Sequence, residues 1–183
     1  MKLSFDKVMI CILMIATVQS CSNQSTPPTE FETYLNSIPE ITLPLLKRCD
    51  ADFWSVDANI PEGLNKQFLP EEGVRTFGKL SLSDSTMGII YVYPADTELP
   101  VIKTFDLSGN EISSLQLFSK YCGTSYDSEG YAWIKMEEKT IELSDTTLYY
   151  QRDENDEKIE GSDTIEYELK QFQIKPSGEI IAL

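Results

Sequence analysis

A chain of 183 residues that is 41% hydrophobic and 25% charged has material for one well-cored domain and too little for two. It contains no His, which excludes a Ser-His-Asp triad, a Cys-His dyad and any His-ligated zinc or haem centre within this chain. Its formal net charge of −15 repels phosphate backbones and anionic headgroups, arguing against nucleic-acid binding and against electrostatic attachment to a membrane.

Lys2 and Lys7 form a basic flank to an apolar run from Val8 to Val18. That run is about half of the ~20 residues needed to span a bilayer, so residues 1–20 read as a signal peptide. Cys21 follows directly after the small Ser20, and residues 22–28 are polar and Pro-containing, the composition of an extended tether. Residues 21–28 are thus predicted to be an acylated Cys and its tether, and residues 29–183 a single folded domain. Without residues 1–20 the chain keeps 13 basic and 29 acidic side chains, a net charge of −16.

Thr29-Glu30-Phe31-Glu32 has the form of a capping box, and Phe31, Tyr34, Leu35 and Ile38 recur at helical spacing before Pro39. A short amphipathic helix is expected from Glu30 to about Ser37. Ile41, Leu43, Leu45 and Leu46, interrupted by Pro44, read as an extended segment. A second short helix is expected from Pro61 to Phe68, with Asn59 as its cap and Pro70 as its stop.

From Thr76 onward the chain breaks into short β-rich runs. Phe77 to Leu82, Met87 to Tyr93, Val101 to Leu107, Glu111 to Phe118, Tyr131 to Met136, Thr140 to Gln151, Thr164 to Lys175 and Glu179 to Leu183 are predicted strands. Short turns such as Ser108-Gly109-Asn110 and Pro176-Ser177-Gly178 suit antiparallel neighbours, because parallel pairing needs crossovers of a dozen or more residues. The fold class is therefore mainly β (α+β), an antiparallel meander of about eight strands with two short helices.

Met87, Ile89, Tyr91 and Tyr93 alternate with Ile90 and Val92, the pattern of a central strand covered on both faces. Ile165, Tyr167 and Leu169 lie in one phase and Phe172 and Ile174 in the other, the spacing a β-bulge would give. Ile112 to Leu115 is similarly spaced. Two bent strands would let the sheet coil into a partial barrel. Phe105 to Ile112 and Phe172 to Ile180 also echo each other, each a strand, a Ser-Gly turn and then Glu-Ile.

Cys49 and Cys122 are the two thiols left once Cys11 goes with the leader and Cys21 is acylated. In an exported, disulfide-permissive compartment they are either bridged or separately buried. Geometry decides between the two.

Eight acids fall between Gln151 and Glu168, a pattern usual for a solvated loop and its flanks. Asp153, Asn155 and Glu157 alternate like calcium ligands. Lys158 and Thr164, however, stand where an EF-hand loop needs Gly and a bidentate Glu. No metal ligand set and no cofactor site is assigned.

No catalytic residue is assigned either. The one S-x-x-K, Ser4 to Lys7, lies in the leader, and Glu137 and Glu138 beside Trp133 point to opposite faces of a strand. Aromatics are the better candidates for binding by stacking. Trp133, Tyr149 and Tyr150 are singled out from a set that also holds Trp54, Tyr126 and Tyr131, and alternation sends one of Tyr149 and Tyr150 outward.

Cys21, Phe31-x-x-Tyr34-Leu35 with Leu43-Pro44, the Ile102 to Gly109 hairpin and the closing Ile174 to Ile180 strand pair together resemble the small uncharacterised lipoproteins of Bacteroidetes. The resemblance implies a lipid anchor on Cys21 in the cell envelope, most naturally the outer membrane. No acidic cluster follows Cys21, which favours the periplasmic face over the cell surface. The expected function is non-catalytic binding, or service as an accessory module, for a protein or glycan partner. The alternative is a carboxylate-dependent glycan hydrolase.

Overall fold

The computed structural model describes residues 28–49, 60–95, 98–118 and 122–183. Cys21, Trp54, Asn59, the leader and most of the tether lie outside these residues.

Among the described residues two helices and ten strands follow in chain order: α1 Glu30–Ser37, β1 Leu45–Arg48, α2 Glu62–Phe68, β2 Arg75–Ser83, β3 Thr86–Tyr93, β4 Leu99–Asp106, β5 Glu111–Gln116, β6 Gly123–Thr124, β7 Ser128–Met136, β8 Thr140–Tyr149, β9 Thr164–Ile174 and β10 Ile180–Ala182. The fold is mainly β with two short helices, and every named strand pair is antiparallel. The strands make two sheets where the sequence suggested one. β2-β3-β4-β5 form a four-stranded meander, and β1-β7-β8-β9-β10 with the short β6 form a six-stranded sheet. The sheets do not close into a barrel.

The capping box closes α1: the Glu32 amide donates to Thr29 Oγ1 at 3.1 Å and the Thr29 amide to Glu32 Oε2 at 2.7 Å. The buried Phe31, Tyr34, Leu35 and Ile38 then land on Val74, Ile89, Tyr91 and Phe105 of the four-stranded sheet and its approach. Tyr34 Oη and Thr76 Oγ1 share a buried hydrogen bond of 2.9 Å, and burial raises the Tyr34 phenol above its ordinary range. Lys79 Nζ donates to the Leu35 carbonyl at 2.7 Å, placing a cation at the helix C-terminus, where the dipole favours it. α2 begins at Pro61 without a side-chain cap and has no fully buried residue.

The opposite face of the four-stranded sheet packs on the six-stranded sheet. Leu80, Ile90, Val92 and Ile102 meet Ala132, Ile134, Met136, Ile141, Leu143 and Ile174, with Leu117 and Phe118 filling in as the chain passes from one sheet to the other. β3 is thus covered on both faces, and Ile89, Ile90, Tyr91 and Val92 are all 1% exposed or less. The layers run helices, four-stranded sheet, six-stranded sheet.

Two connections lace the layers together. The segment before β1 lies along β2, where the Ile41 amide donates to the Lys79 carbonyl and the Lys79 amide to the Pro39 carbonyl, both at 2.9 Å. The same segment then runs on into the six-stranded sheet as β1, a strand where the sequence suggested only an extended stretch. At the far edge, Thr104 Oγ1 donates to the Gly178 carbonyl at 2.6 Å and the Ile180 amide to Ser113 Oγ at 3.3 Å. The second of the two echoing Ser-Gly turns therefore rests on the β4–β5 hairpin, with Ile112 directly over Gly178, while Gly109 of the first packs against Phe31 of α1.

Of the two expected bulges, one is present. The β4–β5 register slips between Thr104 and Phe105, leaving Ile112 as the extra residue. The β8–β9 ladder runs without a slip from Thr140 opposite Gln173 to Tyr149 opposite Thr164. Ile165, Tyr167 and Leu169 therefore stay on one face of β9 while Phe172 and Ile174 occupy the other.

Cys49 and Cys122 are bridged, with Cα atoms 5.9 Å apart and a sequence separation of 73. β1 and β6 both pair with the same edge of β7, at residues 133–136 and 129–130 respectively. Cys49 continues β1 by donating its amide to the Ala132 carbonyl at 3.0 Å. The bridge therefore splices two short segments into one composite edge strand. Replacing both cysteines by Ser is expected to lower stability by about 4 kcal/mol, from loop-closure entropy returned to the unfolded chain. Urea unfolding of the two proteins measures it, and equal midpoints would refute it.

Candidate functional site

The inner face of the six-stranded sheet is core only toward one end. Direct cross-strand partners share a face, so the core side carries Ile134, Leu143, Ile141 and Phe172 and then, along β8 and β9, Asp145, Lys170, Glu168 and Glu166. The outer face has the complementary arrangement. Trp133, Ser144 and Leu169 form one row across β7, β8 and β9; Tyr131, Thr146 and Tyr167 form the next; Glu129, Leu148 and Ile165 form a third. Leu46 and Arg48 extend it on β1, beside Lys135 and Trp133.

Much of this outer face is open to solvent: Ile165 is 67% exposed, Leu46 66%, Tyr167 60%, Tyr131 50% and Leu169 45%. Trp133 and Leu148 are half-buried. Tyr131 and Tyr167 stand two strands apart, ~9.5 Å at ordinary strand spacing, with only Thr146 between them. Ser144, 1% exposed, lies between Trp133 and Leu169, and its hydroxyl has no hydrogen-bond partner. A shallow depression of about 300 Å³ lined by Leu46, Arg48, Trp133 and Lys135 opens at the β1 side. On β7, β8 and β9 the charged groups of the face stand in the rows at its two ends, and Arg48 adds a cation at the β1 edge. The Tyr131 hydroxyl donates to Glu129, Gln171 Nε2 donates to Glu142 Oε1 at 2.9 Å, and Lys135 pairs with Glu137 at 2.8 Å.

The three aromatics singled out from the sequence do not come together. Trp133 belongs to the outer face. Tyr149 is exposed but lies on the other face of the sheet, its hydroxyl donating to Glu166 Oε2 at 3.4 Å. Tyr150 is buried and anchors a loop: the Arg152 guanidinium lies 5.2 Å from both the Tyr126 and Tyr150 rings, and Lys158 Nζ is 4.8 Å from Tyr150. In place of Tyr149 and Tyr150, the sheet sets Tyr131, Tyr167, Leu169 and Ile165 beside Trp133. The β9 residues among them went unrecognised because a bulge would have carried them to the core. The available signal was the run of Glu166, Glu168 and Lys170 in the opposite phase, which marks a strand whose inner face is polar at that end.

Neither a protein-family model, nor a curated protein, nor a solved structure matches this chain.

Carboxylates were the other candidates for chemistry. The register places Asp145 directly opposite Glu168 on the inner face. Asp145 is 4% exposed, and Glu168 pairs with Lys170 at 3.1 Å. One carboxylate of the pair is thus withdrawn from solvent and the other is tied to a cation. Among the described residues no group of three or more Cys, Asp or Glu converges as metal ligands do, and no helix is long and apolar enough to cross a membrane.

The acidic run from 151 to 163 is an exposed loop held by its own backbone. Asp153 Oδ1 accepts the amides of Asn155 at 2.8 Å and Glu157 at 2.9 Å, and Lys158 pairs with Asp163 at 2.8 Å. The alternation that imitates a calcium loop is thus the signature of an Asx turn. The Glu157 and Asn155 amides hold the Asp153 carboxyl below its ordinary value. A depressed folded pKa stabilises above the unfolded value of about 3.9 and is lost as pH falls through the folded one. An NMR titration of Asp153 is expected to show a midpoint below that of an unfolded-chain Asp. Below it, the Asn155 and Glu157 amides should exchange faster. A midpoint at the unfolded value would refute the turn's role.

Proposed function

We propose that this chain is a lipid-anchored protein of the cell envelope, held through an acylated Cys21 at the periplasmic face of the outer membrane. It would bind a partner through the outer face of its six-stranded sheet and do no chemistry of its own. The observation that carries the binding role is the exposed group Tyr131, Trp133, Tyr167, Leu169 and Ile165, set in cross-strand rows on rigid backbone. Contiguous apolar surface of this kind on a folded domain marks interaction sites. Aromatics at the centre with charged side chains at the rim is the composition of a protein interface.

The aliphatic share favours a protein over a glycan. Ile165 and Leu169 stand where a sugar site would place hydrogen-bonding side chains between its stacking rings. The hydrolase reading draws less support, because Asp145 is 4% exposed and Glu168 is tied to Lys170.

Two tests separate the anchor from the binding face. Cys21→Ser is expected to abolish labelled palmitate incorporation and to move the chain from the membrane to the soluble fraction. Retention of label and membrane association would refute the anchor. Y131S/Y167S is expected to remove the species crosslinked to the full chain in intact cells. The melting temperature should change by only a few degrees, because solvent-facing side chains contribute little to stability. Undiminished crosslinking would overturn the binding face.

A further inference from the structure

We infer that the occupant of the outer face is a second copy of this chain, in a two-fold, face-to-face dimer of six-stranded sheets. The inference rests on the binding role just proposed for that face and names its partner.

Three observations select the second copy. The first is area. The side chains of Leu46, Tyr131, Trp133, Leu148, Ile165, Tyr167 and Leu169 expose on the order of 600 Å², most of the ~800 Å² that each partner contributes to a standard interface. The second is shape. The face is one side of a regular ladder without a register slip on β7, β8 or β9, and such faces stack ~10 Å apart with strands within about 30° of alignment.

The third is charge complementarity under a two-fold axis. An axis lying in the interface, perpendicular to the strands and midway between the Tyr131 and Trp133 rows, superposes each strand on its own copy reversed. Tyr131 then faces the second copy's Trp133, and Leu169 faces Tyr167. Lys135, two residues beyond Trp133, faces Glu129, two residues before Tyr131. This cation–carboxylate pair forms twice by symmetry. The other in-plane axis, parallel to the strands along β8, sets Lys135 against Gln171, Glu129 against Ile165 and Glu142 against its own copy, a like-charge contact, whereas the perpendicular axis sets Glu142 against Leu148. The perpendicular axis is the arrangement that pairs Lys135 with Glu129.

A chain of net charge −15 repels its own copies at long range. Contact is therefore expected through this face, whose middle rows on β7, β8 and β9 carry no charged side chain, and not elsewhere on the acidic surface.

The test uses the full chain in the membrane of intact cells, with the photoreactive amino acid p-benzoylphenylalanine at position 167. The same residue at Lys66, on α2 in the opposite layer, is the control. The expected result is an adduct of twice the chain's mass from position 167 and none from Lys66. An adduct of any other mass from position 167 would overturn the dimer while leaving the binding face standing, and no adduct from position 167 would overturn both. Orientation is read separately. K135E and E129K are each expected to lose most of the doubled-mass adduct, and K135E/E129K together to regain it, because the double exchange restores both pairs. Loss that persists in the double variant, or undiminished adduct in the single ones, would overturn the two-fold arrangement.

Discussion

The architecture depends on an inequality of cover. The four-stranded sheet is packed on both faces, by α1 on one side and by the larger sheet on the other. The larger sheet has one packed face. A strand buried on both sides reads as a continuous apolar run, whereas a strand packed on one side should alternate apolar inward and polar outward. β3 follows the first rule. β7 and β9 break the second, since their outward positions include Tyr131, Trp133, Ile165, Tyr167 and Leu169. The chain could have carried polar side chains there at little cost to the core, so the apolar outward positions point to use rather than to folding.

This is where the sequence could be read and where it could not. The capping box and periodicity of α1, eight of the strands and their antiparallel pairing were all legible, because each rests on local chemistry: a cap, a period, a turn. The division into two sheets was not. Nothing in residues 117–122 distinguishes a chain that continues one sheet from a chain that crosses to a second, and the crossing is fixed by the burial of Leu117 and Phe118 between the layers. The phase change along β9 misled for a similar reason. A shift of apolar positions by one residue has two physical origins, an inserted residue or a core that ends partway along the strand. Only the ladder tells them apart, and here it is continuous.

The aromatic candidates show the same limit. Tyr149 and Tyr150 are adjacent, so opposite orientations followed from strand geometry alone. Which of them would meet cations could not follow, because Arg152 and Lys158 reach Tyr150 through a turn closed by Asp153 and Ser162. The edge of the larger sheet was equally hidden. β1 follows directly on Pro44 with no tight turn to a neighbour and β6 has two residues, so neither announces itself by pattern, and the Cys49–Cys122 bridge joins them as one edge along β7. Such an edge, broken and crosslinked, is a poor template for pairing with a further strand. That edge is therefore a poorer candidate for the proposed contact than the open face.

The distribution of acid completes that reasoning. Of the eight carboxylates between 151 and 168, those on β9 are Glu166 and Glu168, and both lie on the inner side of the strand, opposite in phase to Tyr167. The rest occupy the exposed loop that Arg152 and Lys158 fasten to Tyr150. An acidic molecule whose one open face keeps its middle rows on β7, β8 and β9 free of charge resists indiscriminate aggregation, because approaches through its other surfaces meet repulsion that extends about a Debye length, ~8 Å at physiological ionic strength. Approach through the open face brings apolar surface together, and that attraction is short-ranged and needs close fit. High net charge and exposed apolar surface are therefore complementary here: the first sets where contact is refused, and the second where it is made.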